Sequence, residues 1–268
     1  MPSGICKLCL RHEELQNSHL IPASVFRNLR ARASSNPNPL IFSPDHMVQS
    51  SEQPTAYLCC RACEDVFNDG GERWTVPLLA SLDRFPLYNL VSKDKSFYRD
   101  GVFTAYHASS ISGFETAKIV HFGMSIFWKA SVRNWGTKGP DIQIELGKYG
   151  ESIRQFVLNG GRFPSKTYLS VCVLPPTVPL LAVLMPVRMM QREFHRFRFY
   201  VPGVVFELSI GNQVPDFLRL QCLATGALQL VTVSPEFAKT MGKSYVDARR
   251  TARISPGFMK HLNQHGKG

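Results

Sequence analysis

The sequence predicts an α+β protein built from two unequal blocks, residues 1–75 and residues 76–268. Three observations carry that prediction. Five of the seven cysteines fall within the first 63 residues, four of them in two Cys-x-x-Cys pairs, in a block that lacks long periodic elements. One stretch, residues 112–134, is apolar on nearly every side, the pattern of a helix in the middle of a core. The remainder of 76–268 reads as short strands and helices separated by turns. A chain of 268 residues that is 44% hydrophobic and 19% charged can bury a sizeable core, which excludes wholesale disorder.

The first block opens on a tight knuckle, Cys6-Lys7-Leu8-Cys9. Residues 15–21 read as a short strand. Pro22 suits a helix first turn, and residues 23–30 supply the helix. Residues 34–45 are loop by composition. Residues 47–58 read as a hairpin leading into Cys59-Cys60-Arg61-Ala62-Cys63, where a helix begins, runs to Asn68 and stops at Gly70-Gly71. In the second block Pro77 and Pro86 break residues 75–89. The central helix over 112–134 follows, then a shorter helix over 150–159 and a strand over 166–174. Residues 194–200 and 203–210 form a hairpin around Pro202-Gly203, and residues 217–224 and 227–233 read as further strands. The tail from Lys239 is a basic helix or arm.

The net charge is +11. Residues 1–110 hold 11 basic and 11 acidic side chains, whereas residues 111–268 hold 20 and 9, so the whole excess lies in the second part. Such a field favours polyanionic partners, nucleic acid above all, although it also suits an ordinary solvated surface. Residues 1–9 have no apolar core of the signal-peptide kind, and Arg11, Glu13 and Glu14 follow at once. The longest apolar run, residues 169–185, is broken by Pro175, Pro176 and Pro179 and falls short of the roughly 20 residues of a spanning helix. Glu115, Lys118, His121 and Lys129 argue against lipid for residues 111–132. An odd number of cysteines, clustered in pairs, disfavours a disulfide framework and suits a reducing cytoplasm. Cys172 and Cys222, alone in apolar stretches, read as small core residues.

Cys6 and Cys9 paired with Cys60 and Cys63 form the strongest signal. Zinc takes four thiolates in a tetrahedron, and two Cys-x-x-Cys elements deliver them as two bidentate pairs. The second pair sits in a helix first turn, where amide dipoles also favour thiolate. Cys59 offers a competing register; Cys60 gives the two-residue gap. The alternative is a set of buried or redox cysteines without metal. Bound zinc would contribute about 10–16 kcal/mol of apparent binding energy, enough to hold a small block with a poor core.

Between the pairs lies Ser18-His19-Leu20-Ile21-Pro22. With Cys6, Cys9, His19, Ile21, Pro22, Cys60 and Cys63, residues 6–72 resemble the HNH family, the zinc-stapled, treble-clef form of the ββα-metal endonucleases. The likeness is closer to a subgroup of bacterial HNH-like proteins with a Ser-His-Ile-Ile-Pro strand end and Leu-Cys-x-x-Cys-Glu, and residues 122–131 also look like the region that follows in that subgroup. The resemblance implies a ββα-metal domain and a metal-dependent endonuclease of bacterial or phage type, hydrolysing phosphodiesters of DNA or RNA. His19 matches the general base, and Glu64 and Asn68 match the two helix positions near a catalytic Mg²⁺ or Mn²⁺. Four residues apart, Glu64 and Asn68 share a helix face, which Glu72 extends if the helix survives Gly70-Gly71. Two departures stand out. Ser18 replaces the acidic neighbour of the base, and Gln53 is the only substitute for the middle Asn. They favour a degenerate, non-catalytic nucleic-acid-binding or assembly module as the second reading. A protein-binding treble-clef adaptor is a third. His19 also reads as a structural histidine or a zinc ligand, Glu64 as a first-turn charge, and Asn68 as a helix cap.

Elsewhere, His46 is a lone loop histidine. Arg192, Arg196 and Arg198 interleave with Phe194, Phe197, Phe199 and Tyr200 around His195, a pattern that serves either a nucleic-acid-binding face or a half-buried strand with extended arginines. Arg249 and Arg250 in the tail are further phosphate candidates. No Gly-rich phosphate loop and no Gly-x-Ser-x-Gly is present, so nucleotide-motor and α/β-hydrolase readings have no support.

Overall fold

The computed structural model describes residues 1–29, 40–42, 47–49, 53–81, 84–100, 103–136, 142–176, 182–189, 193–224, 230–233 and 253–254. The strands are β1 (Ser3–Ile5), β2 (His12–His19), β3 (Leu40–Phe42), β4 (Met47–Gln49), β5 (Thr55–Cys60), β6 (Tyr98–Arg99), β7 (Thr104–His107), β8 (Thr167–Val173), β9 (Ala182–Met189), β10 (His195–Val201), β11 (Val204–Ile210), β12 (Leu230–Val233) and β13 (Arg253–Ile254). The α-helices are α1 (Ala23–Leu29), α2 (Arg61–Phe67), α3 (Arg73–Thr75), α4 (Pro86–Ser92), α5 (Thr116–Ser131), α6 (Gly150–Asn159) and α7 (Asp216–Leu220). The class is mixed α+β, as the sequence predicts.

A small antiparallel sheet, β1-β2-β5, carries both cysteine pairs at one end. A ten-stranded sheet runs β13-β4-β3-β9-β10-β11-β8-β12-β7-β6. Its centre is the β10–β11 hairpin, in register from His195 opposite Ile210 to Val201 opposite Val204. Alternation sends Leu169, Val171 and Val173 of β8 and Phe197 and Phe199 of β10 into the core. There they meet α5, where Phe127 stands edge-on to Phe199 at 4.9 Å and Phe122 lies 5.6 Å from Phe206. α5 is covered on its other sides by α2, its continuation and α6. That explains why every residue from Ile119 to Ala130 is buried, and why the sequence is apolar all round.

Four differences from the sequence reading have physical reasons. Residues 47–58 do not form one hairpin: β4 pairs with β3, whereas β5 pairs with β2 in the other sheet. β3 joins the large sheet through β9, so residues 40–49 leave the first block, and one set of buried side chains runs from Cys6 to Leu223 across residue 75. The helix from Arg61 does not stop at Gly70-Gly71 but continues as a π-turn over Asn68–Glu72 into α3. These glycines serve close packing. A Cβ on Gly71 would fall 2.5 Å from the Lys118 carbonyl oxygen and 2.7 Å from the Phe122 amide nitrogen, both backbone atoms of α5. Finally, residues 217–224 hold no strand. Pro215 and Asp216 start the one-and-a-half-turn helix α7, and a short apolar run does not distinguish the two states. Of the tail from Lys239, only β13, parallel to β4, lies within the described residues.

Candidate metal centre and the lysine beside it

The first cysteine pair is shaped by a tight loop. Cys6 N–H donates to the Arg11 carbonyl at 2.8 Å and Leu10 N–H to the Cys6 carbonyl at 2.9 Å, with Leu10 held at φ 64 to close the turn. Lys7 N–H then donates to the Leu58 carbonyl at 3.0 Å, docking the knuckle on β5. Cys60 ends β5 in extended backbone as the cap of α2, and Cys63 sits in the first turn. The four sulfurs of Cys6, Cys9, Cys60 and Cys63 all lie within 4.8 Å of one another, and Cys9 and Cys60 are 3.9 Å apart. A tetrahedral ion with thiolates at about 2.3 Å needs sulfurs about 3.8 Å apart. The set therefore fits a single metal ion. Cys60 N–H donates to Cys6 Sγ at 3.3 Å. Hydrogen bonds from Cys59 and Cys63 push the Cys6 thiol below its ordinary range. Cys59 itself is fully buried and outside the four, so Cys60 is the register.

A second charged cluster lies further along the same helix. Lys129 of α5 has a side chain only 2% exposed. Its ammonium donates to the His19 carbonyl at 3.1 Å and to Glu72 Oε1 at 3.4 Å, and it stands 4.7 Å from the centre of the Phe67 ring. Glu64, mostly buried, accepts a 2.5 Å hydrogen bond from Ser18 Oγ, which itself accepts from Cys59 N–H at 3.3 Å. Burial pushes the Glu64 carboxyl up, while Ser18 and Lys129 pull it back down. Eight residues of straight α-helix would leave Glu72 about 80° past Glu64. The π-turn takes an extra residue per turn, which brings Glu72 back over Glu64, facing Lys129.

His19 ends β2 with its ring half-buried. Burial first, then the positive charge of Lys129, pushes its pKa down, so the imidazole is neutral near pH 7. Its Nδ1 is buried without a hydrogen-bond partner among the described residues. His19, Glu64 and Glu72 thus share one neighbourhood. Asn68 opens the π-turn, and no hydrogen bond ties its side chain to the others among the described residues. Gln53 is half-buried, and its Oε1 has no hydrogen-bond partner among the described residues. No protein-family model, curated protein or solved structure matches this chain.

Outside this region, Arg196 and Arg198 both pair with Glu207 on β11, so part of their charge is spent inside the sheet. Arg192, Arg249, Arg250 and His46 lie outside the described residues. Among the described residues, no helix is long and apolar enough to cross a membrane. Sequence reasoning passed over Lys129 as a site residue, yet the signal was there. A lysine in a helix that is apolar on every side has no water to reach and must find an acid inside.

Proposed function

We propose that this chain is a zinc-stapled, HNH-like nucleic-acid-binding protein of bacterial type in which the ammonium of Lys129 has taken over from the divalent ion of a nuclease centre. The observation that carries this reading is Lys129 Nζ, enclosed between the His19 carbonyl and the Glu72 carboxylate. Mg²⁺ or Mn²⁺ would have to displace a covalently tethered cation from these acids, against direct charge repulsion. Ser18, standing where the family carries an acid, has already committed its hydroxyl to Glu64. The four cysteines, at the separations a tetrahedral thiolate centre needs, support zinc as the ion of the staple. Nucleic acid, DNA before RNA, is proposed from the +11 charge, all of it after residue 110. A cytoplasmic location belongs to the same proposal.

The test is incubation of the full chain with single- and double-stranded DNA and RNA, in Mg²⁺, in Mn²⁺ and in chelator. The expected result is binding that weakens steeply with salt, and no cleavage in any buffer. The second reading is the metal-dependent endonuclease, with His19 as base and Glu64 and Asn68 at the ion. It is favoured by the neutral His19 ring with its unpartnered Nδ1. Cleavage that needs Mg²⁺ or Mn²⁺ and disappears in His19→Ala, with zinc retained, would establish that reading instead. No binding to any nucleic acid at low salt would leave only a protein-binding adaptor.

A further inference from the structure

The two cysteine pairs come from different parts of the chain: the Cys6–Arg11 loop between β1 and β2 on one side, and the end of β5 with the start of α2 on the other. The loop is gripped from a third place. Arg154, in the middle of α6, has a side chain only 10% exposed. Its Nε and Nη2 donate to the two carboxylate oxygens of Glu151, at 2.8 and 2.6 Å, so the guanidinium is held in one orientation. Gln155 Nε2 donates to the same carboxylate at 2.9 Å. The remaining Nη1 donates to the carbonyl of Leu8. Leu8 is fully buried and is the residue immediately before Cys9. The same helix packs against α2, which carries Cys63, and is tied to α5 where His121 Nε2 donates to the Val157 carbonyl at 2.9 Å.

We infer that Arg154, oriented by Glu151, is a positioning residue of the metal centre. It fixes the knuckle through the Leu8 carbonyl, so that Cys6 and Cys9 face the ion with their geometry already set. It also places positive charge beside a group that carries two net negative charges when four thiolates hold a divalent ion. The planar fork matters here, because one end must grip a carboxylate while the other reaches a carbonyl; a lysine ammonium cannot do both in fixed geometry. Partners of this kind, one step out from the ligands, set how firmly a metal is kept. α6 thereby couples the small sheet to the rest of the core: when the ion leaves, the knuckle loosens and Arg154 loses its third contact. The inference rests on the metal reading of the four cysteines and is independent of any nuclease ancestry.

The test uses the full chain loaded with zinc, as wild type, Arg154→Met, Arg154→Lys and Glu151→Gln. Zinc transfer to a chromophoric chelator is timed at a temperature where circular dichroism shows each protein folded. Cobalt-substituted samples are compared by their thiolate charge-transfer band. Arg154→Met is expected to release zinc about 10–100-fold faster, Arg154→Lys less so, and Glu151→Gln least, with a weakened cobalt band in the same order. Zinc release at the wild-type rate from folded Arg154→Met overturns the inference, because a purely packing role would shift the melting temperature and leave the release rate unmoved. If Arg154→Met does not fold, Arg154→Lys and Glu151→Gln decide alone, and wild-type release from both overturns it. A wild-type chain that takes up no zinc defeats the metal reading itself, an outcome seen before any variant is made.

Discussion

The helix that starts at Arg61 contributes to two charged centres built on opposite plans. In the thiolate centre the donors come as two short pairs separated by 50 residues, and the cation must arrive from outside. In the lysine centre the partners of the ammonium come from the end of β2 and the π-turn, with Glu64 of α2 feeling its charge, and the cation is part of the chain. The first plan leaves a spacing in the sequence, because one small ion requires its ligands in adjacent pairs. The second leaves none, because a long side chain can arrive from anywhere the core brings it. The difference teaches that a motif records donors and is silent about who neutralises them.

The largest expected effect breaks the thiolate centre alone. Cys63→Ser should bring zinc content from one ion per chain to none. The lost binding, about 10–16 kcal/mol in apparent terms, rivals or exceeds the whole stability of an ordinary domain. The small sheet should therefore melt without the ion, read as lost strand signal and a collapsed thermal transition. Cys172→Ser, away from the centre, should change neither. Equal zinc content in Cys63→Ser and wild type would remove Cys63 from the ligand set.

Next in size is Lys129→Met, which leaves the half-buried Glu72 without its ammonium partner and takes the nearby positive charge from Glu64. Stranding one partner of a buried pair costs about 3–5 kcal/mol. The urea midpoint should fall accordingly, while zinc stays at one ion per chain. Adding Glu72→Gln should recover part of the loss, since the pair couples. Loss of zinc together with the midpoint would show that the two centres are one cooperative unit.

How much of this could be read from the residues follows from the same contrast. The clustering of Cys6, Cys9, Cys60 and Cys63, the buried helix around Phe122 to Trp128 and the hairpin at Pro202-Gly203 all rest on local spacing or periodicity, and all are found in the fold. His19 and Glu64 share one neighbourhood, and Glu72 rejoins them only through a π-turn that no period announces. The pairing partners of β4 and β5 were not legible, because a strand of three residues such as Met47–Gln49 carries too little alternation to select its sheet. Gly70-Gly71 misled for a definite reason: a glycine pair that ends a helix and one that admits a neighbouring helix look identical until the neighbour is known. Arg154 reaching Leu8 across 146 positions leaves no trace at all.

Gly71→Ala sharpens the comparison from the packing side. The added methyl would press on the backbone of α5 at Lys118 and Phe122, which cannot swing aside as a side chain can. Overpacking of this kind costs about 1–3 kcal/mol. Because the close approach is what brings Glu72 to Lys129, the damage should fall on the lysine centre. The expected outcome is a lower urea midpoint with zinc release unchanged. Faster zinc release would mean that strain travels back along α2 to Cys63.

The smallest expected effect is a matter of pH, and it concerns His121, which feels both Lys129 and Glu72. Burial pushes this imidazole below its ordinary value. Nε2 donates to Val157, so Nδ1 is the unprotonated nitrogen, and it is buried with no partner among the described residues. The unfolded chain takes up its proton near pH 6.5, the folded chain only at lower pH. The neutral ring therefore contributes its full stability above about pH 6.5, and that contribution is lost as pH falls towards the folded value, by at most about 1.4 kcal/mol per pH unit. Acid also protonates thiolates and releases their ion, so a wild-type curve alone mixes the two centres. The difference between wild type and His121→Gln removes the thiolate part, because both proteins share it. That difference in urea midpoint should favour wild type most at neutral pH and shrink as the pH is lowered. A difference that stays level across this range would mean that the ring takes up its proton at the same pH in the folded and the unfolded chain, so that burial does not disfavour the charged imidazole.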